Sequence, residues 1–166
     1  MFNWLKKKNK DIEVLACVDG VLIPLKDVKD EAFRSGAIGR GVGIKPTSSK
    51  IYSPLDGTIK MIFPTNHAVG METEDGLEFI IHIGIDTVKL KGEGFKKIAE
   101  EGQVVKAGDL LIEVDFQLLE EKGYCTDVLM ILTTDSKKAD FHEIEAYGQK
   151  VIGKEDTIFT CSIKNK

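Results

Sequence analysis

Hydrophobic and polar positions alternate along this chain in short bursts. Ile59, Met61 and Phe63 alternate with Lys60 and Ile62, and Phe79, Ile81 and Ile83 alternate with Ile80 and His82. A period of two marks a half-buried strand. The pattern predicts strands at Ile12 to Ala16, Val21 to Pro24, Gly41 to Lys45, Ile51 to Ser53, Thr58 to Phe63, Ala68 to Thr73 and Leu77 to Ile83. Leu110 to Val114, Val128 to Thr133 and Thr157 to Ile163 complete the set. Gly and Pro separate these runs, as in an all-β sandwich or barrel. Two stretches predict short surface helices, Gly94 to Glu101 and Asp115 to Lys122, the second with Asp115 as N-cap and Gly123 in the C′ place.

The glycine-rich stretch Gly36 to Gly43 reads as a loop that turns sharply or approaches something closely. It lacks the strand and helix context of a nucleotide fingerprint, and there is no P-loop. Pro54 to Ile59 and Val105 to Ile112 echo each other, and both resemble half-motifs of biotinyl and lipoyl carrier domains. No counterpart of the modifiable lysine accompanies them. The strand pattern predicts an all-β antiparallel sandwich or barrel with short surface helices, and the resemblance of the two half-motifs to those carrier domains implies the duplicated hybrid motif type. No linker-like segment interrupts residues 11–166, which read as one domain of ordinary size within a chain of 166 residues.

Charge narrows the choice of partner. Four of the 23 lysines and arginines fall in residues 1–10, leaving 19 basic against 27 acidic side chains in the rest. A body this acidic argues against nucleic acid as the partner. Phe2, Trp4 and Leu5 with Lys6, Lys7, Lys8 and Lys10 form either a basic tail or a short segment resting weakly on an anionic membrane surface. They lack the apolar core and cleavage site of a secretory signal. Apolar runs such as Val128 to Leu132 are too short to span a bilayer. Cys17, Cys125 and Cys161 are isolated, which favours a reducing compartment over disulfides or a cysteine zinc site. The expected location is the cytoplasm, with contact at the inner membrane face left open by residues 1–10.

Candidate chemistry centres on two of the three histidines. His67 and His82 flank a hairpin whose tip, Asp75-Gly76, signals a two-residue turn. That turn would pair residue 69 with 82 and set the two histidines diagonally on one face. A four-residue loop would place them directly opposite, and a three-residue loop would put them on opposite faces. His82 points away from the face of Phe79, Ile81 and Ile83. The pair reads as a nucleophile with a hydrogen-bonding neighbour, as two zinc ligands, or as two partly exposed side chains. His142 lies apart and reads as a surface residue.

The surrounding residues resemble the glucose-type IIA proteins of the bacterial phosphoenolpyruvate-dependent sugar phosphotransferase system. The likeness runs through Pro54 to Thr58, Phe63-Pro64-Thr65-Asn66-His67-Ala68, His82-Ile83-Gly84-Ile85-Asp86-Thr87-Val88, Leu90 to Phe95 and Val105 to Asp109. The resemblance implies that His82 accepts a phosphoryl group from phospho-HPr and passes it to a cysteine on a sugar-specific IIB domain. It implies that His67 hydrogen-bonds the phosphate, that Thr65 orients His67, and that the Gly84 carbonyl accepts from Nδ1 of His82. It places Phe33, Ile38, Phe63, Val69, Ile80 and Val88 at or near an apolar docking patch, with Asp86 on its rim. Glu31 and Ala32 stand where more apolar residues are frequent.

No cofactor or metal is required by that relay, although His67 and His82 could share a zinc with a partner's carboxylate or with water. A regulatory protein that selects partners by its phosphorylation state is the alternative. A zinc hydrolase would need a third ligand near the pair, and no H-x-H motif supplies one. The chain shows no IIB cysteine motif, so it reads as a separate IIA component.

Overall fold

The computed structural model describes residues 11–133 and 139–163; the basic segment 1–10 lies outside the described residues. Fourteen strands and two short helices are found among them, and the paired strands run antiparallel. They form one large sheet and two small ones.

The large sheet has the order β13-β2-β3-β11-β7-β6-β5-β9. Its members are β2 (Gly20–Pro24), β3 (Gly39–Pro46), β5 (Gly57–Ile62), β6 (Ala68–Glu72), β7 (Glu78–Ile83), β9 (Val104–Val105), β11 (Val128–Thr133) and β13 (Lys150–Val151). One small sheet joins β1 (Ile12–Leu15), β14 (Thr157–Ile163) and β12 (Ala139–Glu143); the other joins β4 (Lys50–Tyr52), β10 (Leu110–Val114) and β8 (Phe95–Lys97).

The alternation assigns each face. Phe79, Ile81 and Ile83 of β7 enter the principal core with Leu22, Val42, Ile44, Val128 and Met130, and meet Leu111, Ile112 and Phe159 from the small sheets. Phe79 and Phe159 stack with centroids 6.4 Å apart. Burial of aliphatic side chains on this scale is the main drive to fold.

A second cluster covers the outer face of the large sheet, and this one positions the site. Ile23, Leu129 and Ile131 project outward and are capped by Val28, Phe33 and Ile85, with Ile38 and Ile80 half-buried alongside. Phe33 comes from α1 (Glu31–Arg34), whose N-cap Asp30 accepts from the amides of Ala32 and Phe33. With clusters on both faces, β11 is buried along Val128 to Leu132, which is why its sequence is continuously apolar.

Three expectations are corrected. The strand expected from Gly41 begins already at Gly39, inside the stretch read as a loop: a Cβ on Gly39 would lie 2.1 Å from the Leu132 carbonyl oxygen and one on Gly41 1.9 Å from that of Met130, so glycine there permits close backbone approach within the ladder. Gly94 to Glu101 is not a helix. Phe95–Lys97 pairs with Ile112–Val114, and pairing to a neighbouring strand overrides the local helical preference of Lys-Lys-Ile-Ala-Glu-Glu. The hairpin between β6 and β7 pairs Ala68 with His82 and Glu72 with Glu78, and Thr73 N–H donates to the Leu77 carbonyl. Its tip is therefore the three residues Glu74 to Gly76, with Gly76 at φ +87°. The helix from Asp115 forms as expected, as α2 (Phe116–Glu121), and Asp115 accepts from the Leu118 amide.

Candidate active site

His82 sits at the end of β7, on the outer face beside the second cluster. One residue after Ile83 the chain turns through Gly84 at φ +75°. Gly84 N–H donates to the Asp127 carbonyl at 2.8 Å, and Ile85 N–H to that of Cys125 at 3.0 Å. The buried Thr87 hydroxyl donates to the Ile83 carbonyl. This turn aims the Gly84 carbonyl at His82 Nδ1, 2.9 Å away. A carbonyl oxygen can only accept, so in the neutral imidazole Nδ1 carries the proton and Nε2 keeps its lone pair.

His67 reaches the same place by leaving the sheet. A three-residue tip would set residues 67 and 82 on opposite faces if both lay in regular strand. β6 begins only at Ala68, however, and Asn66 adopts φ +60°, so His67 lies in a bend. Its carbonyl still accepts from Ile83 N–H at 2.7 Å. The imidazoles meet edge to face, with centroids 5.1 Å apart at 83°. The proximity is as expected, but its cause is this bend rather than an even-numbered turn. Thr65 Oγ1 and His67 Nδ1 share a hydrogen bond. Phe63 lies edge-on to His67 at 5.4 Å, and Phe33 lies tilted against His82 at 4.8 Å.

Both imidazoles are held neutral near pH 7. Burial, then the neighbouring His82, pushes the His67 pKa from 6.5 down to about 4. Burial also lowers that of His82, opposed by the Gly84 carbonyl and the carboxylates of Asp30 and Asp86. Asp86 is exposed at φ +62°, heading the 3-10 turn Thr87–Leu90 without a side-chain cap bond. Asp30 was not singled out in the sequence. Its signal was the N-cap position before Glu-Ala-Phe-Arg, but its nearness to His82 follows from how α1 folds back onto the sheet.

The docking candidates divide. Phe63 and Val88 are exposed, at 38% and 49%. Ile38 and Ile80 are half-buried, and Phe33, at 6%, presents its ring chiefly to His82 and the second cluster. Val69 is wholly buried on the inner face of β6, in the principal core, so it has no surface to offer a partner. His142 is exposed on β12, its Nε2 hydrogen-bonded with Ser162 Oγ at 3.3 Å. Burial raises the Cys17 and Cys161 thiols to about 12 and about 11, and raises that of Cys125. Such thiols are poor nucleophiles. Among the described residues no group of three or more His, Cys, Asp or Glu could hold a metal ion, and no helix is long and apolar enough to cross a membrane.

A pair of facing neutral imidazoles, one with Nδ1–H held by a backbone carbonyl and the Nε2 lone pair left free, suits group transfer. Comparison with known proteins points the same way. The family model for the phosphoenolpyruvate-dependent sugar phosphotransferase system, EIIA 1, matches residues 12–138. The glucose-specific EIIA component of Haemophilus influenzae is 47% identical over 123 residues, 74% of each chain. The beta-glucoside-specific EIIBCA component of Halalkalibacterium halodurans is 42% identical over 121 residues, which are 73% of this chain and 19% of that one. Among solved structures, glucose permease IIA from Mycoplasma capricolum superimposes with a TM-score of 0.79 at 33% identity, covering 92% of this chain and 96% of that one. This chain belongs to the EIIA 1 family of the phosphoenolpyruvate-dependent sugar phosphotransferase system.

Proposed function

We propose that this EIIA component carries its phosphoryl group on Nε2 of His82, receiving it from phospho-HPr and passing it to a cysteine of a sugar-specific IIB domain. The observation that carries the assignment is the 2.9 Å hydrogen bond from His82 Nδ1–H to the Gly84 carbonyl, which leaves Nε2 as the free lone pair. That lone pair attacks phosphorus. The P–N bond to the donor imidazole breaks, and its electron pair stays on the donor. In the second transfer a thiolate of IIB attacks phosphorus, the P–Nε2 bond breaks, and His82 recovers its lone pair. Nδ1–H remains on the Gly84 carbonyl throughout.

His67 supports the transferring group. With the Thr65 hydroxyl donating to Nδ1, the neutral ring of His67 carries its proton on Nε2 and donates it to a phosphoryl oxygen. Stabilisation by placed hydrogen bonds is the main contribution a protein makes to phosphoryl transfer. Asp30 and Asp86 flank His82 with negative charge, which suits docking of a basic surface on HPr. Transfer to IIB is supported by the relative that bears EIIB, EIIC and EIIA in one chain. The exposed Phe63 and Val88 also support a second reading, in which partners other than the relay proteins distinguish the phosphorylated and free forms.

The test is intact-mass analysis after incubation with phosphoenolpyruvate, enzyme I and HPr. Wild type should gain one acid-labile, base-stable phosphoryl group. His82→Ala should gain none, and His67→Gln should accept the group yet pass it poorly to IIB. A wild type that stays unmodified while a control EIIA is phosphorylated removes the relay reading.

A further inference from the structure

The segment that carries Thr65 and His67 leaves the sheet at the end of β5, and the way it is fastened there involves a side chain outside the site. β5 is backed on its outer edge by β9, but that strand is two residues long and pairs only Gly57 with Val105 and Thr58 with Val104. Two further backbone bonds extend the contact: Ile59 N–H donates to the Gln103 carbonyl at 2.9 Å, and Gly102 N–H to the Ile59 carbonyl at 2.7 Å. There the backbone ladder ends. The next edge donor, Ile62 N–H, is met by a side chain: Glu101 Oε2 accepts it at 2.9 Å across 39 positions of sequence.

Ile62 is the last residue of β5. Phe63 N–H then donates to the Ala68 carbonyl at 3.0 Å, and Asn66 N–H to the Phe63 carbonyl at 2.7 Å, closing the bend from which His67 projects. Phe63 also lies edge-on to His67. Without Glu101, an edge amide at the root of this bend would have only water as a partner. Hydrogen bonds to an ionised carboxylate are roughly twice as strong as neutral ones, so this is a firm tether.

We propose that Glu101 is a positioning residue for His67: its carboxylate takes the place of a missing β9 residue and fixes the point at which the Phe63 to His67 bend departs from the sheet. The inference rests on the proposed role of His67 in the relay. It adds a residue from the stretch before β9 that touches neither imidazole. An off-line shift of a group by about 1 Å can cost up to about a hundredfold in rate. For a neighbouring hydrogen-bond donor with some freedom to readjust, the expected loss is about tenfold in onward transfer.

The experiment compares Glu101→Ala and Glu101→Gln with wild type in two measurements, with His67→Gln as a control in the second. The first is nitrogen-detected NMR of the His67 ring across pH 3.5 to 8, which needs no phosphoryl donor. The second is the rate of transfer from the phosphorylated protein to IIB. Glu101→Ala should move the His67 ring signals and raise its titration midpoint from about 4 toward 6.5, and should slow onward transfer about tenfold. Glu101→Gln keeps an acceptor oxygen and should restore both. Unchanged His67 signals in Glu101→Ala, or a Gln variant no better than Ala, would overturn the positioning role. If His67→Gln itself transfers normally, the relay role of His67 fails instead, and the ring signals alone decide for or against Glu101.

Discussion

Gly84 accepts the Nδ1 proton of His82 across 2.9 Å from a backbone conformation, φ +75°, that leaves no room for a side chain. A Cβ there would lie 2.5 Å from Thr87 Cγ2 and 3.2 Å from the Cys125 carbonyl oxygen. Gly84→Ala must therefore shift the turn and with it the acceptor of His82. Strain of this kind costs about 1–3 kcal/mol, and phosphoryl acceptance should fall at least about tenfold as the tautomer of His82 is released. Gly76→Ala is the control. Gly76 also has a positive φ, but nothing lies within 4 Å of its added Cβ, so stability should drop while phosphorylation is unaffected. Equal rates for the two variants in a phosphorylation time course would refute the link.

Legibility followed the physics of each element. Leu110–Val114, Val128–Thr133 and Thr157–Ile163 match the sequence reading residue for residue, because β-branched and apolar runs between turn residues have few other ways to be buried. The two-residue strands β9 and β13 carry too little pattern to be seen, and β8 was misread because its partner β10 lies elsewhere in the chain. Gly39 looks like a loop residue until the strand that crowds it is in place. Within the site, the pairing of Thr65 with His67 and of Gly84 with His82 was expected from the motif, and both hydrogen bonds are present. The geometry joining the histidines was not legible, since it depends on a positive φ at Asn66 rather than on strand register. The places of Asp30, Glu101 and the buried Val69 are tertiary facts.

The pKa of His67 makes a statement about stability. Its folded value near 4 lies below the ordinary 6.5, so between these pH values the unfolded chain binds more protons. The contribution is fully present above about pH 6.5 and lost as pH falls through about 4. His82 shifts in the same direction and adds to the slope. Urea unfolding of wild type at pH 4.5 and 7 should show this loss, and His67→Gln should show a shallower one. Parallel pH dependences would mean that His67 is protonated as easily in the fold as outside it.

Thr65 bears on which nitrogen of His67 carries the proton. Thr65→Val keeps the β-branched shape and removes the hydroxyl that bonds Nδ1. Folding should change by no more than about 1.5 kcal/mol, the usual net worth of one such bond. Acceptance from phospho-HPr should stay near normal, and delivery to IIB should fall several-fold because the Nε2–H tautomer is no longer favoured. Thr65→Ser should recover most of the delivery rate. Stopped-flow transfer measured separately in the two directions would reveal any symmetrical loss, which would count against a role through His67.

Phe33 ties the short helix to His82. Four residues cannot hold a helix by themselves; α1 persists because Asp30 caps it and Phe33 is buried with Ile23, Val28, Ile85, Leu129 and Ile131. The same ring covers His82. Phe33→Ala should cost about 3–5 kcal/mol at this segment. Hydrogen exchange should locate the loss at the amides of Arg34, Ser35 and Gly36, which bond back into α1. The effect on His82 has a definite sign. Burial is what lowers its pKa, while the Gly84 carbonyl, Asp30 and Asp86 all favour the charged form. Admitting water must therefore raise it, so a larger fraction of His82 is protonated near neutrality and its lone pair is lost. The acid limb of the phosphorylation rate should move to higher pH in Phe33→Ala and much less in Phe33→Leu. An unmoved acid limb alongside lost amide protection would confine Phe33 to holding α1 and leave the desolvation of His82 to other groups.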